Sequence, residues 1–259
     1  MPGSLQDVAV GLGRKIDEFL AEKPESKRLQ DVQAQLRTSM KVIDDAFSRY
    51  SLDEISLSYN GGKDCLVLLI MILACMGQRA SKSQQNSATE VNGPSTTKLA
   101  TDKLQAVYIV PPHPFPEVDE FVESSADDYY LDVVRYQLPM KKGLECYLAE
   151  KKNIKAIFVG TRRTDPHGES LTFFDPTDSG WPPFMRIHPV IDWHYVEIWT
   201  FLRHLGIPYC PLYDQGYTSL GGTEDTLPNP HLKKEGSEGR AFRPAYELVG
   251  DEEERLGRE

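Results

Sequence analysis

The chain has little cysteine, and its four cysteines form no C-x-x-C pair: Cys65, Cys75, Cys146 and Cys210. Paired spacing of that kind is typical of zinc sites and redox-active dithiols, so neither class of protein is favoured. We expect four free thiols, as in proteins of a reducing compartment.

Positive charge is also scarce. Lysine and arginine total 29 against 39 aspartates and glutamates, which gives a formal net charge of −10. Proteins that bind nucleic acid usually carry a basic surface, so we do not expect nucleic acid as a partner. The six histidines occur in no ligand spacing such as H-E-x-x-H, so a structural zinc is not expected either.

Long apolar runs are missing as well. The longest, residues 65–76, is shorter than the roughly 20 residues that a transmembrane helix needs. The N-terminal residues lack the basic start and apolar run of a signal peptide. We therefore expect no membrane partner and a cytoplasmic location. A chain of 259 residues with 40% apolar residues suits one globular domain.

Residues 58–64, which read S-Y-N-G-G-K-D, are the most informative stretch. Apolar and polar residues alternate over 54–59 and predict a short strand, whereas the apolar run at 65–76 predicts a buried helix. The adjacent Gly61 and Gly62 allow a sharp turn and close approach to a ligand. Amides at a helix N-terminus favour an anion. The stretch predicts a phosphate-binding turn, with an ordinary tight turn as the alternative.

Strands and helices alternate along the rest of the chain. Apolar runs predict further strands, and helical spacing predicts helices between and after them, at strands 104–110, 131–136 and 154–159 and helices 140–152 and 193–205. This order predicts an α/β fold with a doubly wound, mostly parallel sheet and helices on both faces.

Two segments of the single predicted domain, 1–259, are expected to stand apart from this pattern. Residues 1–50 have helical spacing interrupted at Pro24, which predicts a helical hairpin laid against the sheet. Residues 79–103 are polar and without periodicity, which predicts a flexible insertion.

Two loops carry candidate ligand groups. Residues 160–168, G-T-R-R-T-D-P-H-G, follow the fourth predicted strand, where ligands of such sheets lie. A salt-bridged surface turn is the alternative. Residues 177–186, T-D-S-G-W-P-P-F-M-R, suit a flat apolar pocket with a polar rim, or simple packing on the core. Near the C-terminus, Arg255 and Arg258 would share one face if the segment were helical, although a charged segment of this kind is ordinarily a solvated tail.

Taken together, these motifs resemble the fungal-type FAD synthetases (FMN adenylyltransferases), of the phosphoadenylyl sulfate reductase-like branch of the ATP-pyrophosphatase superfamily. The resemblance lies in residues 58–65, 160–169, 177–186, 216–232 and 254–258. It implies a Rossmann-like fold and a Mg²⁺-dependent transfer of AMP from ATP to the phosphate of FMN. The products would be FAD and pyrophosphate.

The same resemblance implies roles for single residues. It makes Asn60 and Asp64 ligands of Mg²⁺ and catalytic groups, together with Arg255 and Arg258 in a tail, 233–259, that closes on the site. It assigns ATP and its phosphates to Ser58, Tyr59, Gly61, Gly62, Lys63, Tyr108, Ile109 and Val110. It assigns the flavin to Thr161, Arg163, Asp165, Asp178, Ser179, Gly180, Trp181 and Arg186.

Two other functions remain open. A phosphoadenylyl sulfate reductase would need a nucleophilic cysteine, usually in its C-terminal tail, but the last cysteine here is Cys210. A non-catalytic flavin- or nucleotide-binding regulator is the second alternative. We expect a monomer whose partners are the small molecules ATP and FMN.

Overall fold

The structure is a computed structural model that describes residues 3–87, 101–234 and 241–258, with side chains described except at 83–87. Its helices are α1 (Leu5–Ala21), α2 (Lys27–Arg49), α3 (Lys63–Ser87), α4 (Pro116–Asp128), α5 (Met140–Glu150) and α6 (Tyr195–His204). Its strands are β1 (Ile55–Ser58), β2 (Leu104–Ile109), β3 (Leu131–Tyr136), β4 (Ala156–Phe158), β5 (Phe174–Pro176) and β6 (Met185–Ile187).

The strands form one mostly parallel sheet in the order β3-β2-β1-β4-β6-β5, in which only β5 runs antiparallel to its neighbour. The predicted fold class is therefore confirmed. The chain moves outward from β1 to β2 and β3, then returns to place β4 on the other side of β1. The order reverses between β1 and β4, and such a reversal is where sheets of this type bind ligands.

The two faces of the sheet are covered differently. Ile55 and Leu57 of β1 point into the main core, where the apolar run of α3 is almost completely buried. By alternation, Ser56 and Ser58 point to the opposite face. On that face α5 contributes Tyr147, whose hydroxyl lies 2.7 Å from that of Ser56. The run at 65–76 contains no polar residues because this part of α3 is buried on all sides, so its uninterrupted apolar sequence predicted a buried helix.

The predicted N-terminal hairpin exists, but α1 packs mainly on α3 rather than directly on the sheet. Gly77 allows this close crossing, since a Cβ there would lie 2.0 Å from the carbonyl oxygen of Ala9. The residues 63–82 of α3 are long and apolar enough to cross a membrane by length and composition, but 78% of that window is buried within the fold. It is the central helix of the core.

The predicted insertion at 79–103 is partly wrong, because α3 continues through its first residues to Ser87. The remainder at 88–100 lies outside the described residues. The hairpin of β5 and β6, at one edge of the sheet, was not predicted.

Candidate active site

A cavity of about 230 Å³ opens at the carboxyl edge of the sheet, between the ends of β1 and β4. Many of the predicted site residues line it: Ser58, Asn60, Gly62, Lys63, Asp64, Thr161, Asp165, Arg255 and Arg258. The cavity is also lined by residues that were not predicted as site residues: Cys65, Val159, Gly160, Tyr213, Ser219, Leu220 and Glu254.

The predicted phosphate turn has the geometry that its glycines suggested. Gly61 has a φ of +72°, and a Cβ there would lie 2.9 Å from the Val122 side chain. The amide oxygen of Asn60 accepts hydrogen bonds from the Gly62 backbone, at 3.0 Å, and from the Cys65 thiol, at 3.0 Å. Asn60 therefore shapes the turn. Helix α3 begins directly after it, at Lys63, with its N-terminus at the cavity.

The backbone amide of Lys63 is not open to an anion. It donates to the hydroxyl of Tyr213 at 2.8 Å. Tyr213 lies in a short 3₁₀ helix, Pro211–Gln215, and is almost fully buried. Burial raises the pKa of Tyr213 well above its usual value, so the hydroxyl keeps its proton at neutral pH. The tyrosine hydroxyl thus stands between the start of α3 and the cavity.

A buried cluster of ions lies beneath the turn. Arg162 is 0% exposed, with its Nε 2.9 Å from Asp64 Oδ1 and its Nη2 paired with Glu254. The ammonium of Lys63 pairs with Asp64 Oδ2, at 2.9 Å, and with Glu254. Asp251 and Asp165 lie farther from Arg162, at 3.4 and 3.9 Å. Carboxylates therefore neutralise the two buried cations, which is what buried charges require.

The charges of this cluster are stabilised by their neighbours. Burial lowers the pKa of Lys63, but the carboxylates of Asp64 and Glu254 outweigh burial and hold that pKa above its usual value. Burial raises the pKa of Asp64, but Arg162 and Lys63 outweigh it and hold the pKa below its usual value. Asp64 is therefore a carboxylate at neutral pH.

Asp64 lines the cavity with its side chain 22% exposed. Its Oδ1 faces Arg162 as an ion pair but makes no hydrogen bond of good geometry. The loop after β4 adds a second carboxylate to the cavity wall, Asp165. Its Oδ2 accepts a hydrogen bond from the backbone amide of Arg162 at 2.8 Å. Among the residues that the structure describes, no three acidic, histidine or cysteine side chains are grouped to hold a metal by themselves.

The two C-terminal arginines differ in their support. Arg258 donates from Nη1 to the Leu220 carbonyl at 3.0 Å, and its Nη2 lies 3.3 Å from Asp225. Its Nε is buried and unpaired. Arg255 is exposed and forms no ion pair within the described ranges. Both line the cavity, so the predicted approach of the tail to the turn is present in the fold.

One of the predicted flavin residues, Arg186, lies on a strip of side chains that runs from the cavity along the α5 face of the sheet. Ile157 of β4 is in register with Arg186 of β6, so the two side chains share that face. Val159, which lines the cavity, and Phe184 pack on the same small core as Ile157. We call Ile157, Val159, Phe184 and Arg186 the sheet strip. The Nε of Arg186 is buried and unpaired.

The turn of the β5–β6 hairpin lies at the far end of this strip. Because β6 runs parallel to β4, the turn before it is at the amino edge, opposite the cavity. Asp178, Ser179, Gly180 and Trp181 occupy that turn and do not line the cavity, contrary to a single compact site. Asp178 lies 3.4 Å from Arg186. A strand of three residues, roughly 10 Å, separates the two ends.

Three predicted side chains point elsewhere. Tyr59 is buried in the core and donates to Ser125 at 2.8 Å, because the strand alternation turns it away from the cavity. Tyr108 is also buried, beneath the Arg135 guanidinium. Arg163 faces solvent, where its guanidinium pairs with Asp192 at 2.7 Å. The arginine of the buried cluster is therefore Arg162, not Arg163.

Ile109 and Val110 line a second, more apolar cavity of about 510 Å³ at the end of β2. Its other lining residues follow β2 and β3. Since β2 adjoins β1 in the sheet, both cavities open along the carboxyl edge.

All four cysteines are unpaired, and three are buried. Burial raises the pKa of Cys65, the only one that lines the cavity, to about 12. A thiol in that state is a poor nucleophile.

Comparisons with known proteins identify the family of the chain. The family model of the phosphoadenosine phosphosulfate reductase domain matches residues 54–151 and 142–228. The chain is 39% identical over 245 residues to the probable FAD synthase of Schizosaccharomyces pombe, covering 95% of this chain and 86% of that protein.

Solved structures are similar over nearly the whole chain. Candida glabrata FMN adenylyltransferase in complex with FAD and inorganic pyrophosphate has a TM-score of 0.90 and 29% identity, covering 98% of this chain and 99% of that one. The same enzyme in complex with FMN and the ATP analog AMPCPP has a TM-score of 0.87 and 29% identity, covering 98% and 100%.

Proposed function

The chain belongs to the FAD synthase family, and from this premise we propose how its cavity works. The protein is an FMN adenylyltransferase, which transfers the adenylyl group of ATP to the phosphate of FMN and releases FAD and pyrophosphate. One observation carries the residue assignments below. The N-terminus of α3, the carboxylate of Asp64 and the two tail arginines meet in one cavity, from which the sheet strip leads away.

We assign the triphosphate of ATP to this cavity. Charge there is supplied by Arg255, Arg258 and the dipole of α3, and the unpaired Nε of Arg258 is a free donor for a phosphate oxygen. The apolar groove of Ile109 and Val110, next along the same edge, suits a flat purine. Ile109 and Val110 are among the residues to which the resemblance assigned ATP.

We assign Mg²⁺ to Asp64, with phosphate oxygens and water completing its ligands. Mg²⁺ typically takes only one or two protein carboxylates in nucleotide sites, and Asp64 is a partly exposed carboxylate of the cavity wall. Asp165 is the second candidate. Asn60 fits less well than the sequence suggested, because its amide oxygen already has two donors. When bound, the ion would neutralise charge on the triphosphate.

We assign the flavin ring to the sheet strip, with its phosphate near Thr161 and Asp165 and its far edge toward Asp178 and Trp181. The strip offers apolar contact from Phe184, and Arg186 has a buried, unpaired Nε where a ring carbonyl needs a donor. Trp181 is 40% exposed, so it has surface available for a planar ligand.

In this arrangement the chemistry needs positioning more than covalent help. An oxygen of the FMN phosphate attacks the α-phosphorus of ATP, and the bond to the pyrophosphate oxygen breaks. The attacking phosphate is already ionised at neutral pH, so no general base is required. The residues around the cavity align the two substrates and stabilise the charge that leaves with pyrophosphate.

The cellular location and the oligomeric state are also proposals. Four free thiols suit the cytosol, and we propose a monomer that works on small molecules alone.

The two rival functions differ in the residues and the activity that they require. A sulfonucleotide reductase needs a reactive tail thiol, and the sequence after Cys210 contains no cysteine. A regulator would bind FMN without turnover.

The reaction is tested by incubating the purified protein with ATP, MgCl₂ and FMN, and measuring FAD by chromatography and pyrophosphate in the same samples. We expect the two products in a one-to-one ratio. Riboflavin, which lacks the attacking phosphate, is the matched control and should give neither. Binding of FMN without formation of FAD would support the regulator instead.

A further inference from the structure

Glu254 is a buried carboxylate on an otherwise solvated acidic segment. It is 4% exposed, whereas Glu252 and Glu253 beside it are not buried. Its two oxygens are divided between Lys63, from the phosphate turn, and Arg162, from the loop after β4. One side chain of the C-terminal segment therefore joins both walls of the cavity, and it immediately precedes Arg255.

Lys63 is committed to this contact. Its side chain is 2% exposed, and its ammonium pairs with Glu254 and Asp64 while lying 5.2 Å from the centre of the Tyr195 ring. A lysine in a phosphate turn is expected to bind phosphate. Here the charge of the Lys63 ammonium is already balanced by two carboxylates, so the attraction of this side chain for a free anion is weak.

The backbone around Glu254 is fixed by buried polar groups as well. Thr218 donates to the carbonyl of Glu254 at 2.6 Å. Asn229, which is 0% exposed, donates to the carbonyl of Glu253 at 2.7 Å and to Thr218 at 3.0 Å. Upstream, Asp251 accepts from the Tyr195 amide at 2.7 Å, at the start of α6. The segment is thus held in one position, with Glu254 at its innermost point.

We propose that Glu254 is a positioning residue, which fastens the C-terminal segment to the phosphate turn so that Arg255 is held at the triphosphate. The proposal rests on the proposed function. Without the carboxylate, Lys63 and Arg162 are two buried cations with one fewer partner, and among the described residues of the segment only Asp251, 3.4 Å from Arg162, still pairs with the cluster. Arg258 keeps its own anchors at Leu220 and Asp225, so the loss falls mainly on Arg255.

The test is Glu254→Gln, which keeps the shape and removes the charge. We expect kcat to fall about 100-fold, the scale of a small misplacement of a catalytic group, with the Kd for FMN unchanged. The matched control is Glu253→Gln, a neighbour whose carboxylate pairs only with His231, at 2.9 Å, among the described residues. It should behave as wild type.

A double-mutant cycle with Arg255→Ala separates positioning from general damage. If Glu254 acts through Arg255, Glu254→Gln costs little in the Arg255→Ala background. If the two losses multiply, or if Glu254→Gln turns over normally, the proposal is wrong. Should Glu254→Gln fail to fold by circular dichroism, Glu254→Asp keeps the charge with a shorter reach and replaces it in the same cycle.

Binding of pyrophosphate, measured by calorimetry on the same variants, distinguishes this proposal from the proposed function. Wild type that makes no FAD would overturn the function. Even then, Glu254→Gln should weaken pyrophosphate binding, and that loss should be absent in the Arg255→Ala background. Equal pyrophosphate affinity in wild type and Glu254→Gln would overturn the positioning role independently of FAD formation.

Discussion

The hydroxyl of Tyr213 lies 2.8 Å from the backbone nitrogen of Lys63 and accepts its hydrogen bond. The hydroxyl's own proton has no acceptor in the part of the chain that the structure describes. A buried tyrosine in this position can pass the polarity of the helix N-terminus to a ligand, because it accepts from the amide and donates to an anion. We therefore include Tyr213 in the proposed phosphate site.

We expect Tyr213→Phe to lower kcat/KM for ATP by about ten-fold or more, the cost of one hydrogen bond to a charged group. The Kd for FMN should stay the same, since the sheet strip is untouched. Steady-state kinetics and FMN fluorescence titration measure the two. Tyr209→Phe is the matched control, because Tyr209 packs on the same Trp199 but bonds Asp214 outside the cavity. Equal behaviour of both variants would remove Tyr213 from the site.

Asp64→Asn should lower turnover by at least about 100-fold while leaving FMN binding largely intact, because a metal-binding carboxylate is lost and the shape is kept. Chelation of Mg²⁺ from the wild type should have the same effect, and added MgCl₂ should restore only the wild type. Asp132→Asn, an ion-pair partner of Lys151 on β3, is the control. Near-normal turnover of Asp64→Asn would exclude Asp64 as the ligand.

The predictable parts of the fold are those with a local apolar pattern. Helix α3 contains a continuous buried apolar run, and β2 and β3 are mostly apolar six-residue stretches rich in Val, Ile and Tyr, which favour strands. Strands β5 and β6 have only three residues each and include Asp175 and Arg186, so any apolar alternation is too short to mark a strand. They are strands because they pair with each other and with β4, which no local pattern reveals.

The site residues were predictable where a glycine or a sequence motif fixed the backbone. They were not predictable where two or more adjacent residues of similar type differ only in which of them is buried. Arg162 and Arg163 are adjacent and alike in sequence, but the loop turns the first inward and the second to solvent. Glu254 is one acid in a run of four, and only its contacts single it out. Tertiary packing alone decides such cases, so sequence chemistry cannot.

Asp178→Ala should weaken FMN binding about ten-fold and change the KM for ATP much less, because Asp178 orients Arg186 at the far end of the sheet strip. Direct titration of FMN and of a non-hydrolysable ATP analog compares the two sites. Glu169→Ala, an exposed carboxylate in the preceding loop, should change neither. If ATP binding weakens more than FMN binding, the flavin lies elsewhere.

The two tail arginines should respond differently to replacement by lysine. Arg258 lines the cavity and is held through both terminal nitrogens, a geometry that lysine cannot reproduce. We expect Arg258→Lys to lower kcat about 100-fold. It should also lower the melting temperature, because the link from the tail to Leu220 and Asp225 is broken.

Arg255 is exposed and forms no ion pair within the described ranges, so lysine can supply its charge from the same position. Arg255→Lys should therefore keep kcat within about ten-fold of wild type and leave the melting temperature unchanged, because only charge is needed there. Kinetics and thermal unfolding of both variants under one set of conditions make the comparison. Equal loss in the two would mean that both arginines bind phosphate through a fixed fork, and that the support of Arg258 by the loop does not matter for catalysis.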